Sequence, residues 1–328
     1  TSPTSFPSHK PSLHPTSYPS ALPTANPTGR PSVSPTDQPT ASPSETKYPT
    51  VQPTTTVQPT TNPTTHPTLS PSSAPTNEYI EFYAMGDTPY TDSDASELLR
   101  QMNDLPNDAP FIYHLGDLNR AKETGCNEMA YIKAKRIMLQ SKIPLFVTPG
   151  DNDWNDCPVP DTAWGYWEQH FMNFDTNWSH SLGVRRMPQR NENVSFFIDF
   201  VLFVSVNIVG GAVHDEIEWD RRLATNLQWT MQEIRSNMNR LTSIVILGHA
   251  KPSSRNKSYF EQLSENVKEL GVPTLYIHGD GHEYDIEKRA FGVRNMWDVQ
   301  VDRGGKAPPL KVRVTKWIDK PFEFDRRK

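Results

Sequence analysis

Five stretches of this chain place an Asp or a His directly after an apolar run. They are "YIEFYAMGD" ending at Asp87, "APFIYHLGD" ending at Asp117, "IPLFVTPGD" ending at Asp151 and followed by Asn152, "TSIVILGHA" with His249, and "VPTLYIHGDGH" with Asp280 and His282. Carboxylate oxygens and imidazole nitrogens are the donors that divalent cations take. Each stretch alone has an ordinary explanation, since Gly, Asn and Asp are turn residues and Asp caps helices. Within "TPGDNDW" the turn and metal readings both stay open. The same arrangement recurring in order, with His in two of the stretches, is hard to assign to turn chemistry and points to convergence on a metal site.

Convergence needs elements that end at one place. The apolar runs read as strands, and "DASELLRQMNDL", "EMAYIKAKRIMLQ" and "NLQWTMQEIRSNM" carry apolar residues at helical spacing between them. "NVSFFIDFVLFVSVN" reads as consecutive strands. Strands alternating with helices predict an α/β fold with largely parallel sheets covered by helices, in which ligands bind beyond the carboxyl ends of the strands.

In this order the blocks "GDTPY", "GDLNR", "GDNDW", "GHA" and "GDGH" resemble the calcineurin-like metallophosphoesterase family, in a variant branch with GDTPY, PGDNDW and HGDGH motifs. The family's blocks are Asp-x-His, Gly-Asp, Gly-Asn-His, Gly-His and Gly-His-x-His, and the likeness runs from residue 79 to about residue 290. It implies a four-layer α/β/β/α sandwich of two mixed sheets with a dinuclear centre at the sheet edge. Carried over by position, Asp117 bridges two divalent ions, Asp87 and His282 hold one, and Asp151, His249 and Asp280 hold the other. The implied reaction is hydrolysis of a small phosphoester by a hydroxide bridging the metals, with monoesters favoured over diesters.

Three positions depart from the pattern. Pro89 stands at a usual ligand His, Asp151 at the usual Asn, and Asp280 at the first His of the last block. In addition Asn152 occupies the place of the family's acid-base His, so besides Asp117 the catalytic candidate is an amide that can bind a phosphoryl oxygen but cannot donate a proton as an acid. Four carboxylates make an oxygen-rich set, which suits Mn, Mg or Ca better than Zn, with Fe also open. Elsewhere Lys251 and Arg255 read as solvated charges, His114 and His278 as core histidines, and Tyr90 and Trp154 as loop aromatics packed on a core. An alternative is a catalytically weak or inactive metal- or phosphate-binding module on a stalk, and a third reading is a wall structural protein.

The stalk comes from composition. Of 31 prolines, eighteen precede residue 76, recurring at every fourth position from Pro3 to Pro43 with Ser and Thr between them. Such a segment cannot form a core, so residues 1–75 are expected to be a disordered, O-glycosylated tail with cell-wall or glycan association, and residues 76–328 one domain. The net charge of −5 argues against a nucleic-acid partner. "FFIDFVLFVSVNIVGGAV", the longest apolar stretch, is interrupted by Asp199, Ser205 and Asn207 and predicts no membrane span. The two cysteines, Cys126 and Cys157, fit one disulfide, with two buried thiols as the other reading. Sequons at Asn177, Asn193 and Asn256 complete a set that favours an extracellular, surface or wall location.

Overall fold

Along β1 (Tyr79–Met85) both faces of the strand are buried: Ile80, Phe82 and Ala84 enter one apolar cluster, and Tyr83 and Met85 enter another. A strand covered on both sides has to lie inside a layered fold. The computed structural model, which describes residues 78–121 and 126–328, has that architecture. The proline-rich tail expected over residues 1–75, and its boundary, lie outside the described residues.

One sheet has the order β12 (Phe322–Asp325), β11 (Leu310–Thr315), β1, β2 (Ile112–His114), β3 (Leu145–Val147). The second has the order β4 (Arg185–Met187), β5 (Arg190–Ile198), β6 (Val201–Ser205), β7 (Ser243–Leu247), β8 (Thr274–His278), β10 (Met296–Gln300), β9 (Asp285–Lys288). Both are mixed. β1, β2 and β3 run parallel in the first, and β6, β7 and β8 in the second. Between the sheets the Phe111 ring lies 5.1 Å from each of Phe82, Phe196 and Phe203. Full burial of one such ring contributes about 1.5–3 kcal/mol.

Helices form the outer layers. α1 (Asp92–Asn103) is capped by Thr91 and turns Ala95, Leu98 and Met102 inward, the i, i+3, i+7 face of an amphipathic helix. With α2 (Glu128–Met138) and α3 (Pro160–Phe171) it covers the first sheet, through Tyr131, Ala134, Trp167 and Phe171. α4 (Glu216–Asn237) and α5 (Lys257–Leu270) cover the second with Trp219, Leu223, Ile234, Phe260 and Leu263. The four-layer α/β/β/α sandwich expected above is therefore the fold.

Some expectations are corrected. The helix read in "NLQWTMQEIRSNM" is the second half of α4, which starts at Glu216 because Asp215 accepts the N–H groups of Ile217 and Glu218. α3, α5, β4 and β9 to β12 add to the expected elements. Cys126 and Cys157 are joined as a disulfide across 31 residues, tying the segment after β2 to the segment after β3. Of the three sequons, Asn193 and Asn256 are buried with their amides engaged by Asn226 Oδ1 and the Lys251 carbonyl, which leaves no room for a glycan; Asn177 is exposed. Among the described residues no helix is long and apolar enough to cross a membrane.

Candidate metal centre

The parallel strands of each sheet end at a common edge, and backbone bonds lock the loops beyond them. Asp87 N–H donates to Gly116 O at 3.0 Å, Thr148 N–H to His114 O at 3.0 Å, and Gly279 N–H to His249 O at 3.1 Å. The sheets are joined by His249, whose Nδ1 lies 2.8 Å from Leu115 O. A carbonyl can only accept, so Nδ1 carries the proton and the Nε2 lone pair of the neutral ring points away from that bond.

This edge brings the expected residues together. The ligand atoms of Asp87, Asp117 and His249 lie within 4.8 Å of one another, as do those of Asp151, His249 and Asp280. His249 Nε2 is 3.3 Å from Asp117 Oδ1 and 3.4 Å from Asp151 Oδ1. His282 stands at the rim, its side chain 46% exposed, with Nε2 3.3 Å from Asp87 Oδ1. Asp87, Asp117, Asp280 and His282 all have φ between 58° and 68°, the left-handed region that non-glycine residues avoid. Strained backbone of this kind persists where the surroundings over-determine it, typically at functional sites. Close approach also demands glycine: a Cβ on Gly150 would lie 2.2 Å from Asp117 Oδ1, and one on Gly210 would lie 2.7 Å from Asp151 Oδ2.

The "DNDWN" segment forms a single π turn, Asp151–Asn155, closed by Asp156 N–H donating to Asp151 O at 2.9 Å. Asn152 N–H donates to Asp117 Oδ1 at 3.0 Å, and its side-chain amide donates to Asp117 Oδ2. Asp153 points the other way and is fully buried, accepting the N–H groups of Asp117, Leu118 and Gly150 at 2.7–2.9 Å. It is a positioning residue whose only sequence signal was a second carboxylate in the same loop.

Electrostatics describe a buried negative cluster. Burial, ahead of the opposing pull of His249 and the push of Asp151 and Asp87, raises the Asp117 carboxyl well above the usual carboxylate range. Burial likewise raises Asp280, and it pushes Asp153 up to about 6 against the hydrogen bonds that lower it. Asp151 is held below its ordinary value, because His249 and the Asn152 N–H outweigh its burial. Burial alone would lower His249, but Asp117 and Asp151 drive it well above an ordinary imidazole. His249 Nε2 thus sits 3.3 Å from Asp117 Oδ1 and 3.4 Å from Asp151 Oδ1 without a well-aligned hydrogen bond to either. A divalent cation can take the place of the Nε2 proton among these carboxylate oxygens, so the donor set fits a metal ion.

The remaining candidates sort clearly. His114 is a core histidine bonded to Thr88 O at 2.8 Å, and burial lowers its pKa to about 4. His278 is buried beside Asp298. Lys251 is an exposed partner of Asp285, Arg255 is exposed, and Trp154 packs edge-on to Trp164. Tyr90 departs from its expected core role. Its hydroxyl donates to Asp117 Oδ2 at 2.8 Å and lies 3.5 Å from Asp87 Oδ1, because the loop after β1 folds back over the centre. Burial, then the Asp117 and Asp87 charges, push its pKa upward and keep it a donor.

A family model described as the PT disordered repeat matches residues 14–46. No curated protein sequence matches the chain. Among solved structures, GAP50, the anchor in the inner membrane complex of Plasmodium, is similar at 12% identity and a TM-score of 0.48, over 76% of this chain and 84% of that one. TT1561 of Thermus thermophilus is similar at 12% identity and a TM-score of 0.42, over 76% of this chain and 99% of that one.

Proposed function

We propose that the chain is a phosphoesterase of the calcineurin-like type that uses two divalent ions and hydrolyses small phosphate monoesters in preference to diesters. The observation that carries this reading is the convergence of the buried His249 Nε2 with the carboxylates of Asp87, Asp117, Asp151 and Asp280 where the strand ends meet. When bound, the ions would supply the Lewis acidity that activates water and offsets charge on a phosphoryl group.

The chain's own residues do the rest. Asp87, Asp117, Asp151, Asp280, His249 and His282 would hold the ions, with Asp117 shared. The Leu115 carbonyl fixes the His249 tautomer, and Asp153 fixes the backbone of Asp117. Asn152 and Tyr90 donate to the two oxygens of Asp117 and so orient its carboxylate. Neither the Asn152 amide nor the Tyr90 phenol, whose pKa is driven up, is a ready acid at neutral pH, so the reading favours esters with good leaving groups. We place the protein outside the cell or at its surface, on the support of the disulfide and the PT repeat.

The second reading, a metal- or phosphate-binding module without turnover, is favoured specifically by Asn152. One experiment separates the two. The full chain is assayed for bound metal and for turnover of aryl and alkyl phosphomonoesters and of diesters, alongside Asp117→Asn. Metal-dependent monoester turnover that is lost in Asp117→Asn supports the phosphoesterase. Bound metal without turnover supports the binding module, and absence of metal affinity in the parent sinks both.

A further inference from the structure

The strands that bring the metal ligands together at their carboxyl ends have a second edge at their amino ends, and the turn between β11 and β12 projects there. Thr315, the last residue of β11, pairs with Tyr79, the first of β1, so the turn stands about 20 Å from the end of β1 that leads to Asp87. Its tip is apolar: Trp317 is 62% exposed and Ile318 76%, and Tyr79, which lines one depression with them, is 46% exposed. The turn is firmly held. Lys320 N–H donates to Trp317 O at 3.1 Å, Thr315 N–H to Pro321 O at 2.8 Å, and the Thr315 hydroxyl to Lys320 O at 2.7 Å. Polar residues normally occupy such tips, so two adjacent large apolar side chains fixed in water mark a surface that a partner covers.

Ile318 is also a ridge. On its other side lies a groove of about 920 Å³ that reaches Trp297 and Pro273 and is lined by Lys268, Lys288, Arg289 and Arg294 against a single acid, Asp319. These cations come from the end of α5, the end of β9 and the segment before β10. All four are exposed, and among the described residues none forms an ion pair. Solvated side chains of this kind make a poor site for a small anion, but they are what a large charged surface requires. An indole and an aliphatic chain flanked by unpaired Lys and Arg match a bilayer: the apolar tip enters at the headgroup level, where Trp is enriched, and the cations meet anionic lipid. A polyanionic glycan would use the cations and leave Ile318 in water.

We propose that this face docks on a bilayer surface containing anionic phospholipid, with Trp317 and Ile318 inserted at the headgroup level and the four cations of the groove against the lipid charge. The metal centre, at the other edge of the sheets, then opens toward solution. This docking does not depend on which reaction the centre carries out.

The test is sedimentation of the full chain with vesicles of phosphatidylcholine alone or containing about 30% phosphatidylserine, at about 0.1 M salt. Binding to the anionic vesicles should be at least tenfold tighter. Trp317→Ser combined with Ile318→Ser should weaken it about tenfold or more, as should Arg289→Gln combined with Arg294→Gln, and thermal melts establish that both double variants stay folded. With brominated acyl chains, quenching of tryptophan emission at equal bound fraction should be smaller in Trp317→Phe than in the parent. Failure of the parent to bind anionic vesicles, equal binding to both vesicles, or equal quenching in Trp317→Phe would overturn the proposal. So would binding unchanged by the arginine pair. Binding unchanged by the Trp317 and Ile318 pair would overturn it too, marking a purely electrostatic surface of the kind an acidic glycan occupies.

Discussion

Asp153 accepts the backbone N–H of Asp117 through Oδ2 at 2.9 Å, although the two residues lie 36 positions apart. The same carboxylate takes the N–H groups of Leu118 and Gly150, so one buried side chain ties the loop after β2 to the loop after β3. Asp117 can therefore hold its left-handed backbone, at φ 62°, without support from its own side chain.

Replacing Asp153 with Ala leaves three buried N–H groups unpaired. At about 1–3 kcal/mol for each unsatisfied group, partly relieved by water, a loss of roughly 3 kcal/mol is expected. Urea denaturation of metal-free protein measures it. Metal affinity should fall too, although Asp153 ligates nothing. A variant that keeps both parent stability and parent metal affinity would remove Asp153 from its positioning role.

The titration of the cluster predicts that stabilisation by metal depends on pH. Asp117, Asp153, Asp280 and His249 have folded-state pKa values raised above their ordinary ones, and Asp153 lies near 6. A raised group contributes stability that is fully present below its unfolded pKa and is lost as pH rises through its folded pKa. For Asp153 that window runs from about 4 to about 6. Asp151, which is lowered, contributes in the opposite sense, and its stability is lost as pH falls. His114, which burial lowers to about 4, works against the raised groups over the same range, so the test is the increment due to metal: added Mn²⁺ should raise Tm more at pH 7 than at pH 5. A metal-induced rise in Tm that shrinks with pH would contradict this account of the cluster.

Asp280 offers a test of function against stability. Its backbone sits at φ 68°, and burial among other carboxylates disfavours its charge. Asp280→Gly keeps the N–H that donates to Asp87, relieves the left-handed strain of about 1 kcal/mol and removes one acid from the cluster. The metal-free variant should melt at or above the parent temperature, while its affinity for Mn²⁺ drops at least tenfold. Thermal melts and metal titration read the two effects separately, and a variant with unaltered metal affinity would take Asp280 out of the ligand set.

Asn152→His addresses the missing proton donor. General acid catalysis is typically worth about 10²–10⁴ in rate, and an alkyl leaving group needs it more than an aryl one. The parent should therefore have a large kcat/KM ratio of aryl over alkyl phosphate, and Asn152→His should lower that ratio mainly by raising the alkyl value. Equal rates on both esters in the parent, unchanged in the variant, would mean that another group supplies the proton.

The sequence by itself determined the layered α/β class and the identity of the clustered residues, because both follow from local pattern. Apolar runs long enough for a strand ended in Asp or His, and strands of one sense in a layered fold finish on one edge. α5 also carries a readable signal, with Tyr259, Phe260, Leu263 and Val267 on one face and Gly271 ending it. α3 carries a weaker one, since Gly165 interrupts it and Ala163, Trp167 and Phe171 are its only buried positions.

What only the tertiary structure decided rests on contacts between residues far apart in the chain. The Tyr90 hydroxyl meets Asp117 across 27 positions, and the His249 ring meets Leu115 across 134. Neither is coded in any local spacing, so neither the phenol over Asp117 nor the fixed imidazole tautomer could be read beforehand. The same holds for the sequons at Asn193 and Asn256, where three-residue motifs are overruled by burial.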